Sequence, residues 1–129
     1  MSRVLLDTHA FLWFVFDDPR LSAAAEAAIL DSEAEKLLSV GSLWEIVIKT
    51  QLGKLRLGMS VEDFVDDHVT GRVLTLLPLE PPHLIRYADL PMHHRDPFDR
   101  LLAAQALSLD LPVVTGDSRL APYGLEIVW

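Results

Sequence analysis

The chain has 129 residues, half of them hydrophobic and 23% charged, with no cysteine and a formal net charge of −8. This is the composition of one globular domain over residues 1–129, with enough chain to bury a core, and it excludes a disordered segment. The lack of cysteine also excludes disulfides and thiolate metal sites, which agrees with a reducing cytoplasm.

Met1-Ser2-Arg3 leads directly into Val4-Leu5-Leu6-Asp7, without the pattern of a signal peptide. Arg3 to Leu6 reads as a short buried strand. Thr8 can cap a helix over His9 to Phe16, stopped by Asp17-Asp18-Pro19. The most apolar run, Ala10 to Phe16, is too short to span a bilayer, so a soluble protein with no membrane partner is expected. Phe11 to Phe16 gives that helix no polar face, more apolar surface than one small sheet needs to cover, and such a patch predicts self-association.

Ser22 begins an alanine-rich helix to about Ser32, Lys36 to Val40 is a second strand, and Ser42 to Leu52 is a helix closed by Gly53. Lys54 to Leu57 alternates charge with leucine and reads as a small extended excursion. A helix follows from Ser60 to about Thr70, then a strand over Val73 to Leu77 and a helix over Leu84 to Leu90. Met92-His93-His94-Arg95 reads as a polar loop. The strongest helix runs from Asp96 to about Asp110, followed by strands over Pro112 to Thr115 and Glu126 to Trp129. Strands alternating with helices mean an α/β fold: a central parallel sheet of four or five strands between two helical layers.

The acids are the residues that carry chemistry. Asp7 follows the first core strand, and Asp117 follows another in Thr115-Gly116-Asp117. Parallel strands end on one edge, where open α/β sheets form their sites. Each of the two acids can equally well cap the helix after it. Glu45 lies in the apolar stretch Leu43 to Ile48, where an ionised carboxylate needs a partner or a cation. Ser42-Leu43-Trp44-Glu45 also fits a capping box. In Asp96-Pro97-Phe98-Asp99, Asp96 suits the N-cap and Pro97 the first helical position. Asp99 shares a stripe with Leu102, Ala103 and Ala106 that should face the sheet. Several carboxylates converging on one edge repel each other unless a cation lies between them, and oxygen-only ligands suit Mg²⁺ or Mn²⁺. Spacing alone does not bring Glu45 and Asp99 to that edge.

His93 and His94 read as solvated or substrate-touching in their loop, and His9, His68 and His83 show no ligand spacing. The glycines form no phosphate loop, and no Ser sits in a nucleophile elbow. A phosphoacceptor signalling domain would also cluster aspartates around Mg²⁺, but Lys36, Lys49 and Lys54, the only lysines, do not follow the last core strand. With 11 Lys and Arg against 19 Asp and Glu, the surface suits a basic partner better than a bare phosphate backbone.

Taken in order, Leu5-Leu6-Asp7-Thr8, Ser42-Leu43-Trp44-Glu45, Asp96-Pro97-Phe98-Asp99-Arg100-Leu101-Leu102-Ala103-Ala104-Gln105-Ala106 and Thr115-Gly116-Asp117 resemble the PIN-domain family, in particular the VapC toxins of bacterial type II toxin–antitoxin systems. Lys49 to Leu55 is similar to one VapC subgroup. The resemblance covers essentially the whole chain. It implies an α/β/α domain and a Mg²⁺- or Mn²⁺-dependent ribonuclease site built from Asp7, Glu45, Asp99 and Asp117. Thr8, Asp96, Arg100 and either Thr115 or Ser118 would have support roles. It also implies an RNA substrate, a homodimer, and a cognate VapB-like or other type II antitoxin with a basic segment. Gly116 stands where the family often has alanine. A phosphoesterase acting on DNA and a non-catalytic Asp-rich domain are the alternatives.

Overall fold

Short apolar runs, each closed by a helix-capping residue, give the chain its alternating order. The computed structural model describes residues 2–72 and 74–129. Strand β1 (Ser2–Leu6) leads into α1 (Thr8–Val15), then α2 (Ala23–Leu30), β2 (Ala34–Ser39) and α3 (Val40–Gln51). Helix α4 (Val61–Val65) runs on into a π-helical turn (Asp66–Thr70), followed by β3 (Thr75–Leu77) and α5 (Pro81–Ala88). Helix α6 (Pro97–Leu109), β4 (Val113–Val114), a 3-10 turn (Ser118–Tyr123) and β5 (Ile127–Val128) complete the described chain.

The five strands form one all-parallel sheet in the order β3-β2-β1-β4-β5, as the alternating pattern predicts. The central pairing aligns Leu5 with Leu37 and Val113, and Leu6 with Leu38 and Val114. Successive side chains of a strand point to opposite faces, so two cores result. Val4, Leu6, Leu38 and Val114 pack with Phe11 and Leu12 of α1, Ile46 of α3 and Phe64 of α4. Leu5, Leu37 and Val113 pack with Leu102, Ala103 and Ala106 of α6, and with Leu120 and Tyr123. Helices therefore cover both faces. Chain direction across the sheet reverses between β1 and β4, the switch point where a parallel sheet opens a crevice at its C-terminal edge.

Several local expectations are corrected. Asp7, not Thr8, is the N-cap of α1; its side chain accepts from the Ala10 N–H, and Thr8 is the first helical residue. Ser39, not Ser42, caps α3, so the helix begins three residues early and Glu45 is no capping-box partner. The Ser39 hydroxyl accepts from the Gly41 N–H at 3.0 Å, and α3 passes close to α6 there: a Cβ on Gly41 would stand 2.8 Å from the Leu101 side chain, which would have to shift. Residues 54–57 form no strand. The expected strand over Val73 to Leu77 is β3 in its last three residues, and Val73 lies outside the described residues. Helix α1 is not a bare apolar face. Phe11 and Leu12 are buried, Phe14 and Val15 pack on the core, Trp13 meets Trp129, and only Phe16 is exposed. Trp44 of α3 is more exposed, and lies edge-on to Phe98. Among the described residues no helix is long and apolar enough to cross a membrane.

Candidate active site

The acids gather where β1, β4, α3 and α6 end or begin. Asp7 follows β1 directly and is buried; its backbone N–H donates to the Val114 carbonyl at 3.0 Å, which ties it to the neighbouring strand. One carboxylate oxygen accepts from the Ala10 N–H at 2.6 Å, and the other accepts from the Thr115 hydroxyl. Thr115 in turn accepts from the Asp117 N–H at 3.0 Å. The hydroxyl thus stitches together the acids at the ends of β1 and β4. Burial pushes the Asp7 carboxyl up, opposed by the bonds from Thr115 and Ala10. One oxygen of Asp7 thus caps α1, and the other is tied to the strand end that leads to Asp117.

Asp99 is the third residue of α6, below the Asp96 cap, whose Oδ1 accepts from the N–H groups of Phe98 and Asp99 at 2.8 and 3.2 Å. Asp99 is pushed up to about 7, first by burial, then by the like charges of Asp96, Glu45 and Asp7, with His94 acting against them. Glu45, which spacing alone left unplaced, is therefore close enough to repel Asp99. It is 3% exposed. Its Oε2 pairs with Lys49 Nζ one turn on, at 2.8 Å, while Oε1 is buried with no hydrogen-bond partner among the described residues. A buried carboxylate oxygen left unpaired is costly, and a cation is the partner such an oxygen would take.

Asp117 is different. Burial would raise it, but hydrogen bonds from Arg119 and His94 outweigh that and hold it well below the ordinary carboxylate range. Arg119 grips it with both arms, Nε to Oδ1 at 3.0 Å and Nη2 to Oδ2 at 2.9 Å.

His94 is the residue that sequence reasoning missed. The adjacent His93 and polar neighbours suggested a solvated loop, yet the His94 ring is buried. Its Nε2 lies 2.8 Å from Asp117 Oδ2 and 3.3 Å from Asp99 Oδ2, so the three could enclose one ion. Its Nδ1 accepts from the Asp96 N–H at 3.0 Å. A backbone N–H can only donate, so in the neutral ring the proton sits on Nε2. The ring is then a donor that holds Asp117, with Asp99 beside the same nitrogen, rather than a metal ligand. Only its place two residues before the Asp96 cap could have signalled this, since a ring there folds back on the cap's own N–H.

The supporting residues separate. Thr115 belongs to the site; Thr8 is buried beside Asp7; Ser118 is exposed and makes no hydrogen bond to the cluster among the described residues. Arg100 faces away from the acids. It binds the carbonyls of Leu90, Pro91 and His94 at 3.0–3.4 Å and lies over the Tyr87 ring, so it fixes the loop that presents His94. Gln105, fully buried, ties Ser39 at the end of β2 to Pro78 and holds α6 against the sheet.

A PIN-domain family profile matches residues 4–124. Among solved structures, the chain is similar to VapBC2 from Rickettsia felis, solved bound to a DNA fragment from their promoter: 14% identity, 98% of this chain and 97% of that one covered, TM-score 0.73. It is also similar to VapBC-1 from nontypeable Haemophilus influenzae (17% identity, 98% and 96% covered, TM-score 0.66) and to FitAcB from Neisseria gonorrhoeae (20% identity, 96% and 95% covered, TM-score 0.64). No match is found among curated proteins. With the profile spanning nearly all of the chain and every one of the four acids, the chain belongs to the PIN-domain family.

Proposed function

We propose that this chain is a divalent-metal-dependent endoribonuclease, the toxin of a type II toxin–antitoxin pair, made of a single domain over residues 1–129. The observation that carries this reading is the convergence of Asp7, Glu45, Asp99 and Asp117 in a PIN-family chain, with Asp99 pushed up to about 7 and Glu45 Oε1 left without a partner. PIN domains are generally nucleases, and three structural neighbours are VapBC or FitA–FitB complexes.

Asp7, Asp99 and Asp117 are the residues that would hold Mg²⁺ or Mn²⁺, with Glu45 as a further ligand or as the group that orients and deprotonates the attacking water. A bound ion supplies an activated water and a counter-charge for the phosphate. The remaining groups keep the acids in place. Thr115 fixes the rotamer of Asp7, the His94 Nε2–H holds Asp117, and Lys49 pins one oxygen of Glu45 so that the other stays free. Arg119, two-thirds exposed, can leave Asp117 for a substrate phosphate without a large desolvation cost.

Two partners follow from the charge and the surface. A basic antitoxin segment would place a guanidinium in the acidic site. Since Arg119 occupies both oxygens of Asp117, and both oxygens of buried Asp7 already accept hydrogen bonds, Asp99 would receive it. A homodimer is assigned to α3, where Trp44 is 57% exposed. The deciding experiment is cleavage of RNA by purified protein. It should require Mg²⁺ or Mn²⁺, stop with EDTA and vanish in Asp7→Asn. Undiminished cleavage in that variant, with contaminating nuclease excluded, overturns the assignment.

A further inference from the structure

Next to the acids the sheet edge opens into a cavity of about 230 Å³ lined by Asp7, His9, Trp13, Arg20, Gly116 and Asp117. Two of these are site acids. The other four have no role in holding a metal, and their chemistry is of a different kind. His9 and Trp13 lie one turn apart on α1, with ring centroids 5.8 Å apart and planes tilted by 40°. Trp129 leans on Trp13 with centroids also 5.8 Å apart, and the Arg20 guanidinium lies 4.7 Å from the Trp13 ring centre. Arg20 is itself oriented by a two-armed pair with Asp18.

The core does not need this arrangement. On this face of the sheet it is completed by Phe11, Leu12 and Phe64, all buried, whereas His9 and Trp129 are exposed and Trp13 is half-buried. The sequence makes room for it nonetheless. A Cβ on Gly116 would stand 2.6 Å from Trp129 Cε2 and 2.8 Å from Cζ2, closer than real contacts allow. Glycine at that position is what lets the Trp129 indole lie against the strand end carrying Asp117.

We propose that this shelf is a stacking subsite for one unpaired nucleobase of the substrate strand, beside the phosphate on which the acids act. The proposal rests on the ribonuclease reading above and deepens it. An aromatic face accepts any base, because every base has a π-face, and Arg20 adds a positive charge for the adjoining phosphate. A base inside a duplex has both faces covered by its neighbours, so the shelf selects single-stranded segments. In a chain with net charge −8, stacking also supplies affinity that a basic groove would otherwise provide.

The test is equilibrium binding of a labelled single-stranded RNA oligonucleotide in Ca²⁺ buffer, with single-stranded DNA and duplex RNA of the same sequence as further probes. His9→Ala and Trp13→Ala should each weaken single-strand binding roughly five- to a hundredfold, the range for losing a stacked base, while Trp13→Phe retains most of it. His9 is exposed, so its variant remains informative even if Trp13→Ala folds poorly. Gly116→Ala should weaken binding in the wild-type background and change nothing further in a Trp129→Ala background, since the two act through one contact. Unaltered RNA binding in folded His9→Ala and Trp13→Ala overturns the subsite and leaves the ribonuclease reading intact. Binding of single-stranded DNA but not RNA, with the same losses, supports the shelf and overturns RNA as substrate. Binding of neither overturns both.

Discussion

Replacing Asp99 by asparagine should stabilise the metal-free protein, and the size of the gain follows from its surroundings. Its folded-state value of about 7 lies above the ordinary 3.8, through burial and the nearby Asp96, Glu45 and Asp7. The folded state therefore holds this proton more tightly than the unfolded chain. The contribution to stability is greatest below about pH 4 and is lost as pH rises through about 7. A shift of about 3 units at about 1.4 kcal/mol per unit gives a ceiling of about 4 kcal/mol lost above pH 7. Relaxation and water at the partly open edge reduce that, so removing the charge should restore roughly 1–3 kcal/mol. For a chain of this length the melting temperature in EDTA at pH 8 should rise by roughly 3–12 °C. The gain should shrink to nothing near pH 4. Adding Mn²⁺ should raise the melting temperature of the wild type and leave Asp99→Asn nearly unmoved. Asp96→Ala provides the contrast: it loses the cap bonds to Phe98 and Asp99, at a cost of about 0.5–2 kcal/mol, read near pH 4 where Asp99 is protonated and relief of its repulsion by Asp96 does not offset the loss. If Asp99→Asn instead melts lower in EDTA at pH 8, Asp99 is a structural helix-start acid and the repulsion invoked here does not exist.

His94→Ala should raise the Mn²⁺ concentration needed for half-maximal activity, and weaken Mn²⁺ binding in calorimetry roughly 10- to 100-fold, the usual effect of removing a group that orients ligands; His94→Gln, which can still donate, should recover part of this. Unchanged Mn²⁺ affinity in His94→Ala would leave the ring with a packing role only. Binding of an arginine-bearing antitoxin segment should weaken as salt rises, mainly through a slower on-rate, and Mg²⁺ should compete with it. Surface plasmon resonance at several salt and Mg²⁺ concentrations checks this, and indifference to both would place inhibition away from the acids. Light scattering at micromolar concentration should give a dimer that Trp44→Ser converts to monomer, because this large apolar side chain is 57% exposed; an unchanged dimer in that variant assigns the interface elsewhere.

Local sequence determined the order of elements and the edge on which the chemistry lies. Apolar runs ending in Asp7 and Thr115 mark parallel strands, and parallel strands must share a C-terminal edge. The Asp96-Pro97 pair fixed the start of α6 because a cap oxygen and a preset φ act within one turn. Where a local pattern competes with a contact between distant elements, the contact decides. Ser42 fits a capping box by its own spacing, yet in the fold Ser39 caps α3, with its hydroxyl bonded to Gln105 of α6. The same choice converted Glu45 from a capping partner into a buried acid with one free oxygen. His94 and Trp129 gain their meaning in the same manner. A histidine in a polar loop becomes a buried donor because Arg100 folds that loop back on α6, and a tryptophan on a short strand meets the site because Gly116 leaves room for its ring. Propensities and periodicities describe a residue's own turn or strand. The convergence of side chains from α1, α3, α6 and the 90–95 loop depends on packing between elements far apart in the chain, which no single stretch of sequence encodes.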